Sequence, residues 1–214
     1  TFDSIINNIL NADPRLHIML RININKENIN HIEELLDELN EFLLNKRDNV
    51  SIYFGLVRDY SLEGYKSNIF FSSIEYSKLE NELHKLAKAK GFRIELFPHE
   101  NIANCGAIFP NTLVVEADGT LQKCWNTVGD KSKCVGNILS TEEENEIVNP
   151  NLVKWLGWNP LEKEKCLKCK KLPICFGGCP YFGIYDSDPN YAYECNPVAL
   201  NSLDRIKEIV ESNS

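Results

Sequence analysis

No cysteine occurs in the first 104 residues, although the chain carries eight. A first half built without them is an ordinary core-forming segment, and this, with no secretory leader, argues against a disulfide scaffold. Long apolar runs are missing as well. No stretch of eighteen or more apolar residues marks a membrane span, and no basic-then-apolar segment marks a signal peptide, so no membrane partner is expected and the expected compartment is the cytoplasm. Cations are scarce: 23 Lys and Arg stand against 31 Asp and Glu, for a net charge of −8. A phosphate-backbone binder needs the opposite surplus to displace counterions, which argues against nucleic acid as a partner. Low-complexity tracts and fixed-period repeats are also absent, so solenoids are excluded. The chain begins at Thr1 rather than Met. An amphipathic segment follows at once, and the two together suggest an excised or processed piece of a longer protein.

What is present is a soluble-type composition, 43% hydrophobic over 214 residues, enough for one large domain or two modest ones. The cysteine asymmetry places a boundary near residues 98–104, giving expected domains of 1–98 and 99–214. Before it, helical and extended patterns alternate. Phe2, Ile5, Ile6, Ile9 and Leu10 recur at helical spacing and stop before Pro14, since proline disfavours helix in the residue ahead of it. Residues 16–24 read as a strand. Asn28 is a plausible N-cap for a helix whose face carries Ile32, Leu35, Leu36, Leu39, Phe42 and Leu43. Residues 50–57 form the next strand, Leu79, Leu83, Leu86 and Ala87 the next helix, closed by Gly91, and 92–97 a third strand. An αβαβαβ order implies parallel strands joined by crossover helices, as in half of a barrel or a doubly wound sheet. Three such strands leave an edge that needs a partner.

Beyond the boundary, residues 112–115 and 121–125 flank Asp118-Gly119, a hairpin signal because this dipeptide suits a turn needing positive φ. Residues 129–137 read as a loop, 151–158 as a short helix, and 197–210 as one continuous helix with Leu200, Leu203, Ile206 and Ile209 on its apolar face. The overall class is α+β.

The cysteines carry the chemistry. Cys166 and Cys169 are separated by two residues, Cys175 follows after five more, Cys179 after three, and Cys195 after fifteen. A two-residue gap lets two thiolates meet one metal centre from a single turn, and four thiolates suit tetrahedral zinc or a cubane cluster alike. Gly177 and Gly178 lie inside the run, where they let the backbone fold tightly and offer amides to cluster sulfurs. Upstream, Cys105 and Cys124 bracket the hairpin, whose turn returns the second thiol toward the first.

This pattern resembles the seven-cysteine SPASM domain of radical SAM enzymes: Cys105, then Gly119, four residues and Cys124, then Cys166, Cys169, Cys175, Cys179 and Cys195. The segment LVVEADGTLQKCWN, residues 113–126, is similar to the hairpin of that family. The resemblance covers roughly residues 100–200. It implies two auxiliary [4Fe–4S] clusters, one on Cys166, Cys169, Cys175 and Cys195, the other on Cys105, Cys124 and Cys179, with the crossing cysteine handed between clusters as in two-cluster ferredoxins. For the fourth position of the latter cluster an open iron, Cys134 and His99 all stand as candidates. Residues 1–98 more weakly resemble the last βα units of a radical SAM partial barrel, with Arg21 on a strand that would face S-adenosylmethionine.

Such enzymes hold their catalytic cluster on three cysteines separated by three and two residues, and no such triplet occurs in this sequence. The expectation is therefore the C-terminal portion of a peptide- or protein-modifying radical SAM enzyme, of the ribosomal-peptide or sulfatase-maturing kind, or else a standalone remnant that carries clusters without radical chemistry. This chain alone would be inactive. Its expected partners are a peptide or protein substrate, a ferredoxin- or flavodoxin-type reductant, and the missing N-terminal barrel half. The rival reading is a zinc-binding interaction module whose α/β half docks a partner. Around the cysteines, Trp125, Phe176, Tyr181 and Tyr185 read mainly as packing residues that shield a cluster. Asp59 and Glu95 are candidate proton acceptors indistinguishable by sequence from surface charge.

Overall fold

The structure, a computed structural model, describes residues 2–60, 68–94, 105–141, 149–185 and 195–212. Contacts divide the chain into two units. One comprises Thr1–Asp59, Tyr65–Pro98 and Asn201–Ser214, the other Tyr60–Gly64 and His99–Leu200.

In the first unit, helix α1 (Phe2–Asn11) precedes strand β1 (Ile18–Ile24), helix α2 (Ile32–Phe42), strand β2 (Val50–Leu56) and helix α3 (Ser73–Ala89). β1 and β2 pair in parallel from Ile18 opposite Val50 to Ile24 opposite Leu56, with α2 as the crossover. Asn28 does not cap α2. Its Oδ1 accepts from the Asn25 amide at 3.0 Å and its Nδ2 donates to the Asn23 carbonyl at 2.7 Å, so the helix starts at Ile32 after a single 3-10 turn. α3 starts from a capping box: the Glu75 amide donates to Ser72 Oγ, and the Ser72 amide donates back to Glu75 Oε2. Its Ser-x-x-Glu signature stands in the sequence and reciprocally satisfies two backbone donors. Gly91 then closes the helix with a φ of 82°, as its position suggested. Of the expected third strand, Arg93 bridges in parallel to Ser51; residues 95–97 lie outside the described residues.

One side of this sheet is the core. Ile6 and Ile9 from α1, Ile22 and Ile24 from β1, Leu36 and Leu39 from α2, Ile52 and Phe54 from β2, and Tyr76 and Leu83 from α3 are all buried. The period-2 pleat sends Met19, Arg21, Asn23 and Tyr53 to the other side, where they are exposed. The expected continuous helix over 197–210 is corrected: it breaks at Asn201, whose Nδ2 donates to Glu80 Oε2 at 2.7 Å, and the last helix begins at Ser202. A polar side chain drawn to a buried carboxylate overrides helix continuity here. Arg205, in that last helix, pairs with the same Glu80 oxygen at 2.6 Å, with both side chains nearly inaccessible.

In the second unit, β3 (Val114–Val115), β4 (Thr120–Gln122) and β5 (Gly136–Asn137) form an antiparallel sheet in that order. The turn between β3 and β4 is the expected one, with Gly119 at φ 83° and the Thr120 amide donating to Asp118 Oδ1. β5 lies in the stretch expected to be loop. It is only two residues long and contains a glycine, so no alternation announces it. Short helices follow: α4 (Pro150–Leu156), α5 (Glu164–Leu167), α6 (Leu172–Cys175), α7 (Pro180–Tyr185) and α8 (Pro197–Leu200); the last helix of the chain, α9 (Ser202–Ser212), belongs to the first unit. Asn149 caps α4, accepting from the amides of Asn151 and Leu152. Trp155, Tyr181 and Phe182 are the largest fully buried apolar groups of this unit. Tyr181 Oη donates to the Tyr60 carbonyl at 2.8 Å, and the Tyr60 ring stacks on Phe182.

The hairpin turn sets up a first expected result. A Cβ on Gly119 would stand 2.9 Å from Asn137 Oδ1 on β5, and the left-handed backbone disfavours any L side chain. Gly119→Ala should cost this unit about 1–2 kcal/mol. All three tryptophans, Trp125, Trp155 and Trp158, lie in this unit, so the shift is read from the fluorescence midpoint in urea. An unmoved midpoint would show that the turn carries no strain.

Candidate functional site

Three cysteines remote in sequence come together in the second unit. Cys105 opens a single turn, Gly106–Ile108; Cys124 follows β4 and opens the turn Trp125–Thr127; Cys179 directly precedes α7. α4 packs against both the Gly106–Ile108 turn and α7, and so spans the segments that carry Cys105 and Cys179. Cys124 is buried at 8% exposure. Burial, opposed by the Asn126 amide and assisted by the nearby thiols of Cys179 and Cys105, pushes its thiol up to about 11. The Cys124 thiol is thus within electrostatic reach of both other thiols. At neutral pH such a thiol keeps its proton until a metal displaces it. The Tyr181 hydroxyl shares this neighbourhood: burial, then Cys124, Asp130 and Cys179, push it up to about 12.

The remaining cysteines are strung along tight turns. Cys166 lies buried on α5, the Cys169 amide donates to its carbonyl at 3.0 Å, and the Leu172 amide donates to the Cys169 carbonyl at 3.1 Å, leading into α6 and Cys175. Phe176, Gly177 and Gly178 are then all left-handed, with φ of 46°, 84° and 77°, and they turn the chain between Cys175 and Cys179. Gly177 also meets a close neighbour, since a Cβ there would lie 2.4 Å from Pro160 Cβ. The glycines therefore serve the tight folding expected of them, at the cost of one strained phenylalanine. α6 packs on α8, and Lys171 Nζ donates to the Leu200 carbonyl, which ties Cys175 to the segment that begins near Cys195. Cys169 is exposed, and no disulfide joins any of the eight cysteines.

Among the described residues no three His, Cys, Asp or Glu side chains stand close enough to hold one metal ion. Around a single zinc, thiolates sit about 4 Å apart. A cubane places each thiolate on a different iron, farther apart than ligands of one ion. The donor set of Cys105, Cys124 and Cys179, three thiols with Cys124 buried, is soft and fits an iron–sulfur cluster in chemistry, as it would fit zinc.

Of the other candidates, Cys134 is half-buried and ends the turn Lys131–Lys133; its charge acts on Lys131 rather than on Cys124. His99 and Glu95 lie outside the described residues, and Asp59 is half-buried. Trp125 is 73% exposed, which corrects the packing expectation for it, whereas Tyr181 is buried as expected and Tyr185 packs edge-on to Trp155. Arg21 lies on the exposed side of β1. Its Nε donates to Asn23 Oδ1 at 2.9 Å, its guanidinium stands 5.6 Å from the centre of the Tyr53 ring, and it lies so low over β2 that a Cβ on Gly55 would meet Nε at 2.4 Å. The setting is that of an oriented cation. Asn23, Tyr53 and Gly55 were not singled out in the sequence, although the period-2 pleat puts them beside Arg21. Lys123 was also missed; its signal was a lysine at a strand end next to Cys124.

No protein-family model and no curated protein matches the chain. Among solved structures, native anSMEcpe with bound AdoMet, an anaerobic sulfatase-maturating enzyme of the radical SAM/SPASM class, matches with a TM-score of 0.53 at 20% identity. The match covers 91% of this chain. The chain shares that fold. A second structure, native anSMEcpe with bound AdoMet and Cp18Cys peptide, matches with a TM-score of 0.50 at 21% identity, again over 91% of this chain. The chain spans 57% and 58% of the length of anSMEcpe in these two structures. The mixed helix-and-sheet architecture agrees with the α+β class expected from the sequence. Among the described residues no helix is long and apolar enough to cross a membrane.

Proposed function

We propose that this chain is the C-terminal portion of a radical SAM/SPASM enzyme that modifies a peptide or protein, with residues 1–98 forming βα units of a partial barrel and 99–214 an auxiliary cluster domain. The observation that carries the reading is the set Cys105, Cys124 and Cys179, drawn from three separate segments, with Cys124 buried and its thiol under the influence of the other two. The fold shared with anSMEcpe supports it, and the bound AdoMet and peptide in those structures suggest the same two ligand classes here. Cys105, Cys124 and Cys179 would hold one [4Fe–4S] cluster, with an open iron, Cys134 or His99 at the fourth position, and Cys166, Cys169, Cys175 and Cys195 would hold a second. When bound, such clusters supply electron transfer and, at an open iron, a coordination site for a substrate atom. The chain's own residues do the rest. The buried Tyr181 and Phe182 would shield the thiols from water, and the left-handed turns at Gly177 and Gly178 fold the chain tightly ahead of Cys179. Arg21, held by Asn23 and Tyr53, would contact S-adenosylmethionine on the exposed side of β1. A peptide substrate and a ferredoxin- or flavodoxin-type reductant complete the proposed partners.

Anaerobic purification with iron, sulfide and zinc analysis tests this. The expected result is about eight irons and eight sulfides per chain with a broad visible band, as two cysteine-ligated cubanes require. Stoichiometric zinc without colour would overturn it in favour of a structural metal module.

A further inference from the structure

Lys123 is nearly inaccessible, at 2% exposure, and ranks among the largest fully buried side chains of the protein. Its Nζ donates to the carbonyls of Phe109 at 2.5 Å and Thr112 at 2.7 Å. Those carbonyls belong to a short run of turns that starts at Cys105. There the Ile108 amide donates to the Cys105 carbonyl, the Phe109 amide to Gly106, and the Thr112 amide to Phe109. One side chain thus fastens the Cys105 segment to the strand end that carries Cys124, the next residue along the chain. Both acceptors are neutral carbonyls, and among the described residues no carboxylate pairs with this ammonium. An unpaired buried cation is expensive unless an anion is brought to it. A cluster held by thiolates carries net negative charge, and one of its proposed ligands, Cys124, is the residue next to Lys123.

We infer that Lys123 is a positioning residue for the first cysteine group: its buried ammonium holds Cys105 against Cys124, and its charge compensates the negative charge of the cluster formed there. The inference rests on the proposed cluster-binding reading in its second half, whereas its first half concerns the metal-free chain alone. Because reduction adds negative charge, a neighbouring cation favours the reduced state, so removing it drives the potential down.

The test uses the full chain, wild type beside Lys123→Met and Lys123→Arg, with far-UV circular dichroism to confirm folding. In metal-free protein, amide exchange of residues 105–112 followed by mass spectrometry should quicken at least tenfold in Lys123→Met, while residues 18–56 stay unchanged. After anaerobic reconstitution with iron and sulfide, the signal lost in a Cys124→Ser variant identifies the first group. For that signal, Lys123→Met should shift the one-electron equilibrium about tenfold toward the oxidised form, or ~59 mV. Lys123→Arg keeps the charge and should stay near the wild-type potential even if the turns loosen; it also decides the charge argument should Lys123→Met fail to fold. Unchanged exchange in Lys123→Met overturns the clamp, and an unchanged potential overturns the charge compensation. A wild type that takes up no iron would overturn the cluster reading and with it the compensation, while exchange would still decide the clamp.

Discussion

Replacing Arg205 by methionine should cost the first unit about 3–5 kcal/mol, the range for removing one partner of a buried ion pair. The pair is Arg205 Nη2 to Glu80 Oε2 at 2.6 Å, with side chains 6% and 3% exposed. Asn201 Nδ2 adds a second donor to the same oxygen at 2.7 Å. Methionine matches the arginine stem in length and apolar character, so packing loss is small and the penalty comes from the carboxylate left behind without its cation. Urea unfolding followed by far-UV circular dichroism measures it. The double variant Glu80→Leu with Arg205→Met removes both charges and should recover most of the loss, because a buried pair replaced by apolar groups is often neutral or better. If the single variant unfolds at the wild-type midpoint, Glu80 is reaching water that its burial denies, and the pair does not hold the last helix.

That pair also shows where sequence reading stops. Its partners are more than a hundred positions apart, and neither residue carries a local sign of burial: Glu80 lies in a helix of mixed polarity, and Arg205 lies off the apolar face expected of the terminal helix, whose Leu203 and Ile206 are instead exposed. The break at Asn201 has the same origin, because only the tertiary partner draws the side chain out of a helical run. Signals that live within a few residues were legible. Asp118-Gly119 turned the chain as expected because its requirement for positive φ is local, and so did Gly91 at the end of α3. Alternation placed β1 and β2 and the helix between them, since period 2 and period 3.6 are properties of short windows. The cysteine spacing singled out Cys105, Cys124 and Cys179 as one set through family resemblance rather than through geometry. Lys123 escaped notice because a lysine among polar neighbours reads as solvated, and only its two carbonyl partners reveal it as an interior group.

Acid should weaken the same unit through His84. This imidazole is 4% exposed, lies 6.0 Å from the Phe54 ring, and has a buried Nδ1 without a hydrogen-bond partner. Burial, and then the positive charges of Arg205 and Lys88, push it down to about 3 from the usual 6.5. In the folded chain it is therefore neutral at every ordinary pH, whereas the unfolded chain binds a proton below about 6.5. The contribution is fully present above 6.5 and is lost progressively as the pH falls toward 3, since the unfolded state binds more protons throughout that window. At 1.36 kcal/mol per pH unit, the loss is about 2 kcal/mol by pH 5 and about 5 kcal/mol by pH 3. Glu80, one turn earlier on α3, keeps Arg205 engaged and so keeps that cation close to the ring. His84→Leu removes the titrating group and the orphaned nitrogen together. Its urea midpoint should change far less than that of the wild type between pH 7 and pH 5, a window in which most carboxylates are still ionised. Equal slopes for the two proteins would place the acid sensitivity elsewhere and mean that His84 reaches a proton acceptor in the folded state.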